Sequence, residues 1–166
     1  ELATDTDSEL EYHLLLIKVL AACTFGKNFY TEIKCQSLVS MGDVVKVVVH
    51  KSCTYTVKNA YVYFLTHCYL ETEMDVPEMY TSSLMWQLMS SFQADIEKAV
   101  SLSKLNVYVR PASMSDAMVR FVVDTAMECI EAFFAPGLRP TIGGPTRLPI
   151  FIALFKSLYR FSSTVR

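Results

Sequence analysis

The sequence contains no run of roughly 20 apolar residues, which is the length that a membrane-spanning helix requires. Its apolar stretches are repeatedly interrupted by Lys, Asp or Glu, although hydrophobic residues make up 52% of the chain. A formal net charge of −2 provides no general positive field for nucleic acid or anionic lipid. We therefore expect no nucleic-acid partner and no membrane contact by this chain.

A disulfide framework is also missing from the pattern. The five cysteines are an odd number and include no CxxC pair. Such a set favours reduced, buried thiols, which are typical of cytosolic domains. The first residues, Glu1 to Glu9, are acidic rather than basic and apolar, so they do not resemble a signal peptide. They are typical of a cut end, and we interpret the chain as a fragment of a larger protein.

Charged residues are scarce, at 19% of the chain, and the mean hydropathy of +0.28 is high for a chain without a membrane span. At 166 residues the chain is long enough for one domain with a core of its own. Surplus apolar surface in such a domain indicates contact with another part of a larger assembly. We therefore predict a single domain over residues 1–166 that buries part of its surface against something else.

The first predicted helix has a clear start signal. Ser8 and Glu11 match a capping box, in which the serine oxygen and the glutamate carboxylate each satisfy an amide at the helix N-terminus. Apolar residues then recur at helical spacing up to Gly26, a residue type that commonly follows the last turn of a helix. The pattern predicts a helix over residues 9–25.

A second, shorter helix is predicted over residues 29–38, with Asn28 as its cap. Its predicted buried face holds three apolar residues, Phe29, Ile33 and Leu38. Its predicted outer side holds three polar residues, Glu32, Lys34 and Gln36. The helix would then pack through its apolar face and expose its charges.

Residues 41–50, MGDVVKVVVH, are ambiguous because their β-branched side chains favour a buried strand. No partner strand is indicated nearby, and the segment lies between helical patterns, so we predict a third helix. The later helices are predicted from Thr54 or Thr56 to Leu70, from Ser82 or Ser83 to residue 100, from residues 113–116 to Pro136, and from Thr146 onward. The acidic stretch before Pro77 is predicted to be a connection with a short turn at 78–80.

About seven helices are thus predicted, with loops at 101–111 and 136–146. The remaining connections are short, and short connections place consecutive helices in antiparallel pairs. Each pair leaves an apolar face for the next pair to cover, which is the arrangement of an α-solenoid. We therefore predict an all-α fold, an armadillo- or HEAT-like array of helical hairpins.

No combination of nucleophile, base and metal ligands is recognisable in the sequence. The nearest approach to a zinc site consists of His50, Cys53, His67 and Cys68. Against it, the last two are neighbours, and neighbouring helical residues point about 100° apart. The run FGKN at 25–28 lacks the GxxxxGK[ST] pattern of a phosphate-binding loop. We therefore predict no catalytic residue, no metal, no cofactor and no enzymatic activity.

Several runs of residues resemble one protein family. They are CTFGKNFYTEIKCQSL at 23–38, VKNAY at 57–61, FLTHCY at 64–69, EMYTS at 78–82 and MW at 85–86. Together they resemble the RIH domain shared by inositol trisphosphate receptors and ryanodine receptors, and the inositol trisphosphate receptors are the nearer match. The resemblance covers residues 9–100 and weakens over 101–166. At Met41 to Asp43 the chain departs from the family, which more often has a proline and two acidic residues there, so it resembles a divergent member.

The resemblance implies a cytosolic, armadillo-like region of a tetrameric calcium-release channel in the endoplasmic reticulum membrane. No motif for a ligand site or a pore is present in this chain. The resemblance therefore implies a scaffold that relays ligand-induced movement toward the pore. Its implied partners are other domains and subunits of the same channel, together with regulatory proteins.

One stretch is the best candidate for contact between domains. It consists of Lys27, Asn28, Tyr30, Glu32 and Lys34. The alternative is that these residues only fix the corner between the first two helices.

A second hypothesis is a free-standing helical-repeat adaptor that binds peptide segments of a protein partner. The stripe of Met85, Met89 and Phe92 could line a groove for such a segment. The same spacing also suits a helix face in the core.

Overall fold

In a computed structural model of the chain, the structure describes residues 2–73, 77–104, 115–135 and 146–164. The chain divides into two compact units, Glu1–Val76 and Pro77–Arg166. All regular structure in the described ranges is helical, and no strand occurs in them. The predicted all-α class is therefore confirmed, whereas the solenoid topology and the single domain remain predictions.

The first unit is built around one central helix. Its elements in chain order are α1 (Leu2–Ala22), α2 (Phe29–Leu38), α3 (Met41–Val49), α4 (Tyr55–Leu65) and a π-helical turn (Thr66–Leu70) that continues α4. Helices α1 and α3 both pack on α4, and α2 packs on the π-helical turn. The core therefore lies along α4, where the side chains of Ala60, Val62 and Phe64 are fully buried.

The predicted bounds of the first helix were wrong at both ends. Helix α1 begins at Leu2, so Ser8 lies inside it and does not cap it. Leu2 and Ala3 are good helix formers, and the Thr and Asp residues after them suit a first turn as well as Ser8 does. The helix does not continue past Ala22 because the amides of Thr24 and Phe25 bond carbonyls three residues back, at 3.1 and 3.2 Å, instead of four.

Helix α2 has the predicted bounds, but the prediction of its buried face was wrong. Its buried residues are Glu32 and Cys35. The three apolar residues predicted to be buried, Phe29, Ile33 and Leu38, are between 37% and 68% exposed. Hydrogen-bond partners on other elements decide which face of α2 is buried. The spacing of apolar residues within the helix contains no information about those partners.

The prediction of a helix in the valine-rich segment is confirmed by α3. Ser40 caps it by accepting a hydrogen bond from the amide of Asp43 at 3.2 Å. Three valines, Val44, Val45 and Val48, are fully buried on one face. The local cap and the burial of this face outweigh the strand preference of β-branched residues.

The second unit contains one long helix and several shorter ones. In chain order they are α5 (Pro77–Thr81), α6 (Ser83–Lys104), α7 (Asp116–Arg120), a second π-helical turn (Phe121–Thr125), α8 (Ala126–Phe134) and α9 (Leu148–Thr164). Helix α6 packs along α9 and contacts the second π-helical turn. Phe92 of α6 meets Phe121 edge-on, with ring centroids 5.7 Å apart.

Several predicted boundaries in this unit shift by a few residues. The predicted short turn at 78–80 is helix α5, and α6 continues to Lys104, past the predicted start of a loop at 101. Helix α9 begins at Leu148, so Thr146 lies one residue before its cap position rather than in it. Residues 105–111 of the predicted loop at 101–111 lie outside the described residues, as do residues 136–145 of the predicted loop at 136–146.

Candidate functional site

The corner between α1 and α2, residues 23–28, has the most unusual backbone of the first unit. Gly26 has a φ of 85° and Lys27 has a φ of 57°, both in the left-handed region. Glycine adopts this region without steric cost, whereas other residues avoid it. Two such residues in succession redirect the chain after α1, and Asn28 then caps α2 by accepting from the amide of Thr31 at 3.2 Å.

We expect Gly26→Ala to lower the free energy of unfolding by about 1–2 kcal/mol. An added Cβ would meet nothing within 4 Å, so the cost comes from the positive φ alone. Urea denaturation followed by far-UV circular dichroism measures it. The matched control is Lys27→Gly, which relieves the same kind of backbone strain and should be neutral or slightly stabilising. Equal stability of Gly26→Ala and the parent chain would contradict the left-handed corner.

The first π-helical turn supplies the carbonyls that hold this corner. The amide of Glu71 bonds the carbonyl five residues back at 2.9 Å, so the carbonyls of His67 and Cys68 are available to other donors. The Thr24 hydroxyl, 2.8 Å from the Ala21 carbonyl, also lies 3.1 Å from the His67 carbonyl. The Gln36 amide donates to the Cys68 carbonyl at 2.6 Å. The widened turn therefore fastens both the corner and α2 to the end of α4.

Two carboxylates complete the connection. The Glu32 side chain is 2% exposed and accepts from the backbone amide of Glu73 through its two oxygens, at 3.2 and 3.3 Å. The Glu73 side chain in turn accepts from the amide of Phe29, the first residue of α2, at 3.3 Å. Carboxylates at a helix N-terminus also interact favourably with the helix dipole. Glu73, in the segment after the π-helical turn, is thus bonded to α2 through both its backbone amide and its side chain.

An aromatic enclosure surrounds His67 on the same turn. The rings of Phe25 and Tyr63 meet its imidazole edge-on, with centroid distances of 4.8 and 4.3 Å. Its Nδ1 lies 2.7 Å from a carboxylate oxygen of Glu71. The histidine is 9% exposed, and in this setting it supports the packing of the corner.

The predicted contact residues divide into an exposed set and one buried member. Lys27, Asn28, Tyr30 and Lys34 are exposed, with Tyr30 at 79%, whereas Glu32 is buried and faces Glu73. An open depression of about 500 Å³ lies here, lined by Gly26, Lys27, Asn28, Phe29, Tyr30 and Glu73. We call the exposed residues 27–30 the corner surface. Glu32 therefore bonds within the first unit, to the amide of Glu73. Contact of Lys27, Asn28, Tyr30 and Lys34 with another domain remains a prediction.

The residues considered as zinc ligands have separate partners. His50 Nδ1 accepts from the amide of Ser52 at 3.3 Å, and the Cys53 thiol lies 3.6 Å from the carbonyl of Thr54. His67 contacts Glu71 instead, as described above. Among the described residues, no three or more His, Cys, Asp or Glu side chains are arranged to hold a metal ion.

The two thiols beneath the corner are protected by burial. Burial raises the pKa of the Cys68 thiol to about 12, and burial is also the main cause of a raised pKa for Cys35. Cys35 donates to the carbonyl of Leu20 at 3.4 Å. A thiol attacks electrophiles as its thiolate, so both should be poor nucleophiles in the folded chain.

Alkylation with iodoacetamide at neutral pH should therefore distinguish the cysteines. We expect Cys23, which is exposed, to be modified in the folded chain, while Cys35 and Cys68 stay unmodified until denaturant is added. Peptide mass spectrometry after a timed reaction measures each site. The urea-unfolded chain is the control, in which all three should react. Similar rates for Cys23 and Cys68 in the folded chain would contradict the described packing.

Sequence reasoning located the corner but missed the groups that hold it. The helix break at Gly26 and the cap at Asn28 are local signals. The bonds from Thr24 to His67 and from Glu32 to Glu73 join residues more than 40 positions apart. No spacing rule within one element predicts such pairs.

The described part of the chain therefore defines an all-α protein in which a polar cluster fastens helices together. None of its helices is both long and apolar enough to cross a membrane. No protein-family model matches the chain. The chain is 30% identical over 132 residues to the inositol 1,4,5-trisphosphate receptor itr-1 of Caenorhabditis elegans. This match covers 80% of the chain and confirms the resemblance to the inositol trisphosphate receptor family, although the chain spans only 4% of the length of that receptor.

Proposed function

We propose that this chain is a non-enzymatic coupling and scaffold module of an inositol trisphosphate-gated calcium-release channel. The observation that carries the proposal is the similarity to an inositol trisphosphate receptor over 80% of the chain. In this role the module lies on the cytosolic face of the endoplasmic reticulum membrane and relays movement from a ligand-binding domain toward the pore. Other domains and subunits of the channel are its partners, with regulatory proteins as further ones.

The construction of the corner supports a mechanical role. A relay needs helices that move as a unit, and α2 is held to the end of α4 by side chains that bond to backbone groups. In α2, Gln36 donates to the carbonyl of Cys68, and Glu32 accepts from the amide of Glu73. In the corner before α2, the Thr24 hydroxyl lies 3.1 Å from the carbonyl of His67. Displacement of the corner surface would therefore be transmitted to α4 and to the helices that pack on it.

The first test is direct ligand binding to the 166-residue chain. Isothermal titration with inositol 1,4,5-trisphosphate should give no more heat than a control protein of similar size and charge. Specific binding in the micromolar range would contradict the proposal, because the ligand site would then lie in the module itself.

The second test separates coupling from ligand binding. The matched segment of the C. elegans receptor is replaced by this chain, and Tyr30→Ala and Lys27→Ala are introduced together. We expect unchanged inositol trisphosphate binding and a severalfold lower ligand-evoked calcium release. Tyr12→Ala is the matched control, because Tyr12 is also strongly exposed, at 71%, but lies outside the corner surface. Unaltered release in the double variant would oppose a coupling role for this surface.

The alternative is a free-standing helical-repeat adaptor. Met85, Met89 and Phe92, the residues considered for its groove, are fully buried in the second unit, so this stripe belongs to the core. The two functions are also distinguished by the full reading frame, because only the channel module should be encoded together with membrane-spanning segments.

A further inference from the structure

Helix α9 has an apolar stripe on the side that faces away from the core of the second unit. Its inward residues, Leu154 and Ser157, are fully buried, and Ser157 donates to a carboxylate oxygen of Glu97 at 2.7 Å. The outward residues recur at intervals of four, three and four positions and are between 42% and 76% exposed; they are Leu148, Ile152, Phe155 and Tyr159. We call these four residues the outer stripe.

One member of the outer stripe, Phe155, belongs to a packed aromatic cluster. The ring of Phe134 in α8 meets the rings of Phe151 and Phe155 at centroid distances of 5.7 and 5.6 Å. The latter two rings are 4.5 Å apart. An open depression of about 480 Å³ lies beside them, lined by Phe151, Ile152, Phe155, Lys156, Tyr159 and Arg160. The Phe155 ring is therefore already packed on two neighbouring rings, so little ordering of this side chain would be needed on binding.

One edge of the outer stripe is cationic. Lys156 and Arg160 border it, and α9 contains no Asp or Glu among its residues. Arg160 is held in place by an ion pair with Glu97, in which Nη1 and Oε1 are 2.9 Å apart. Lys156 is exposed. With Arg160 paired to Glu97, the positive charge of this edge comes mainly from Lys156, and α9 itself contributes no carboxylate to it.

We propose that the outer stripe binds an amphipathic helix of a protein partner that carries acidic residues beside its apolar positions. Spacings of four and three residues are those of a seam between two helices, which favours a helical occupant. The cationic edge selects carboxylates over basic residues at the flanking positions of that helix.

An anionic membrane is the weaker occupant. Each basic side chain near such a surface contributes about 1 kcal/mol. Lys156 and an Arg160 already paired with Glu97 are too few for stable attachment without a further anchor. The depression, by contrast, suits side chains that project from a helix.

The test uses the 166-residue chain and a designed, fluorescein-labelled peptide helix with a leucine seam flanked by glutamates. We expect saturable binding in fluorescence anisotropy, and affinity that falls about tenfold in Lys156→Glu and in Ile152→Ser, equivalent to ~1.4 kcal/mol. A peptide with lysines in place of the glutamates should bind the parent chain weakly and Lys156→Glu more tightly. Lys34→Glu is the control: it makes the same charge change at an exposed position of α2 and should leave the affinity unchanged.

Any of the following results would overturn the proposal. The first two are equal binding of the acidic and basic peptides, and binding unaffected by Ile152→Ser. Another is co-sedimentation with phosphatidylserine vesicles that Lys156→Glu abolishes, which assigns the face to lipid. The last is self-association in analytical ultracentrifugation that Ile152→Ser abolishes, which assigns it to a second copy. Far-UV circular dichroism checks that each variant is folded, and none of these results bears on the coupling role.

Discussion

Truncation of Phe64 to alanine is expected to lower the free energy of unfolding of the first unit by about 3–5 kcal/mol. The side chain is fully buried in α4, the helix on which α1 and α3 both pack. Its ring also meets Tyr69 edge-on at 6.3 Å. Removing it leaves a cavity in the core along α4. Because a domain of this size is stable by only about 5–15 kcal/mol in total, a large fraction of the stability should disappear.

Urea denaturation with two probes measures this loss. Far-UV circular dichroism follows the helices, and the rate of Cys68 alkylation reports opening of the first unit, since this thiol is fully buried. Leu15→Ala is the control, because Leu15 is 54% exposed on α1 and its truncation should change stability by less than about 0.5 kcal/mol. A loss below about 1 kcal/mol for Phe64→Ala would show that α4 is not the centre of this unit.

The helices of the first unit were largely predictable because their signals are local. Asn28 and Ser40 act as caps through hydrogen bonds to amides three residues ahead in the chain. The helix α3 could be chosen over a strand because no second strand was available to pair with it. The start of α1 was missed because Ser8 is one of several residues near the N-terminus that could cap a helix.

The buried face of α2 could not be predicted, for a different reason. Burial of a carboxylate is unfavourable unless its oxygens are hydrogen-bonded, so a charged residue is expected outside. Glu32 is buried because the amide of Glu73 donates to it, and Phe29 and Ile33 are left on the surface. That partner comes from the end of α4 and becomes visible only once the fold brings the two segments together.

The family was predicted for a third reason, which is neither periodicity nor capping. Runs such as the one at 23–38 resemble a family as whole strings, and many of their residues serve contacts within this corner. Thr24, Gln36 and Cys68 all lie in the runs that carry the resemblance. Thr24 contacts the Cys68 thiol, and Gln36 donates to the Cys68 carbonyl. The residues that mark the family are therefore partly those that fix the corner.

The second large effect is expected in the second unit, at Trp86. This is the single tryptophan of the chain, and its side chain is 3% exposed. The indole packs edge-on against Phe133 at 5.8 Å and donates from Nε1 to the carbonyl of Tyr80 at 3.1 Å. Trp86→Ala removes both contacts and should lower the free energy of unfolding by about 3–5 kcal/mol.

Trp86→Phe separates the two contributions at this position. Phenylalanine keeps a ring against Phe133 but cannot donate to the Tyr80 carbonyl, so the loss should be smaller, about 1–3 kcal/mol. Far-UV circular dichroism in urea is the common measurement, because both variants lack the fluorescent indole. In the parent chain, Trp86 fluorescence should be blue-shifted and should shift to the red as the second unit unfolds. Equal losses for the two variants would mean that the hydrogen bond to Tyr80, rather than aromatic packing, dominates the stabilisation by Trp86.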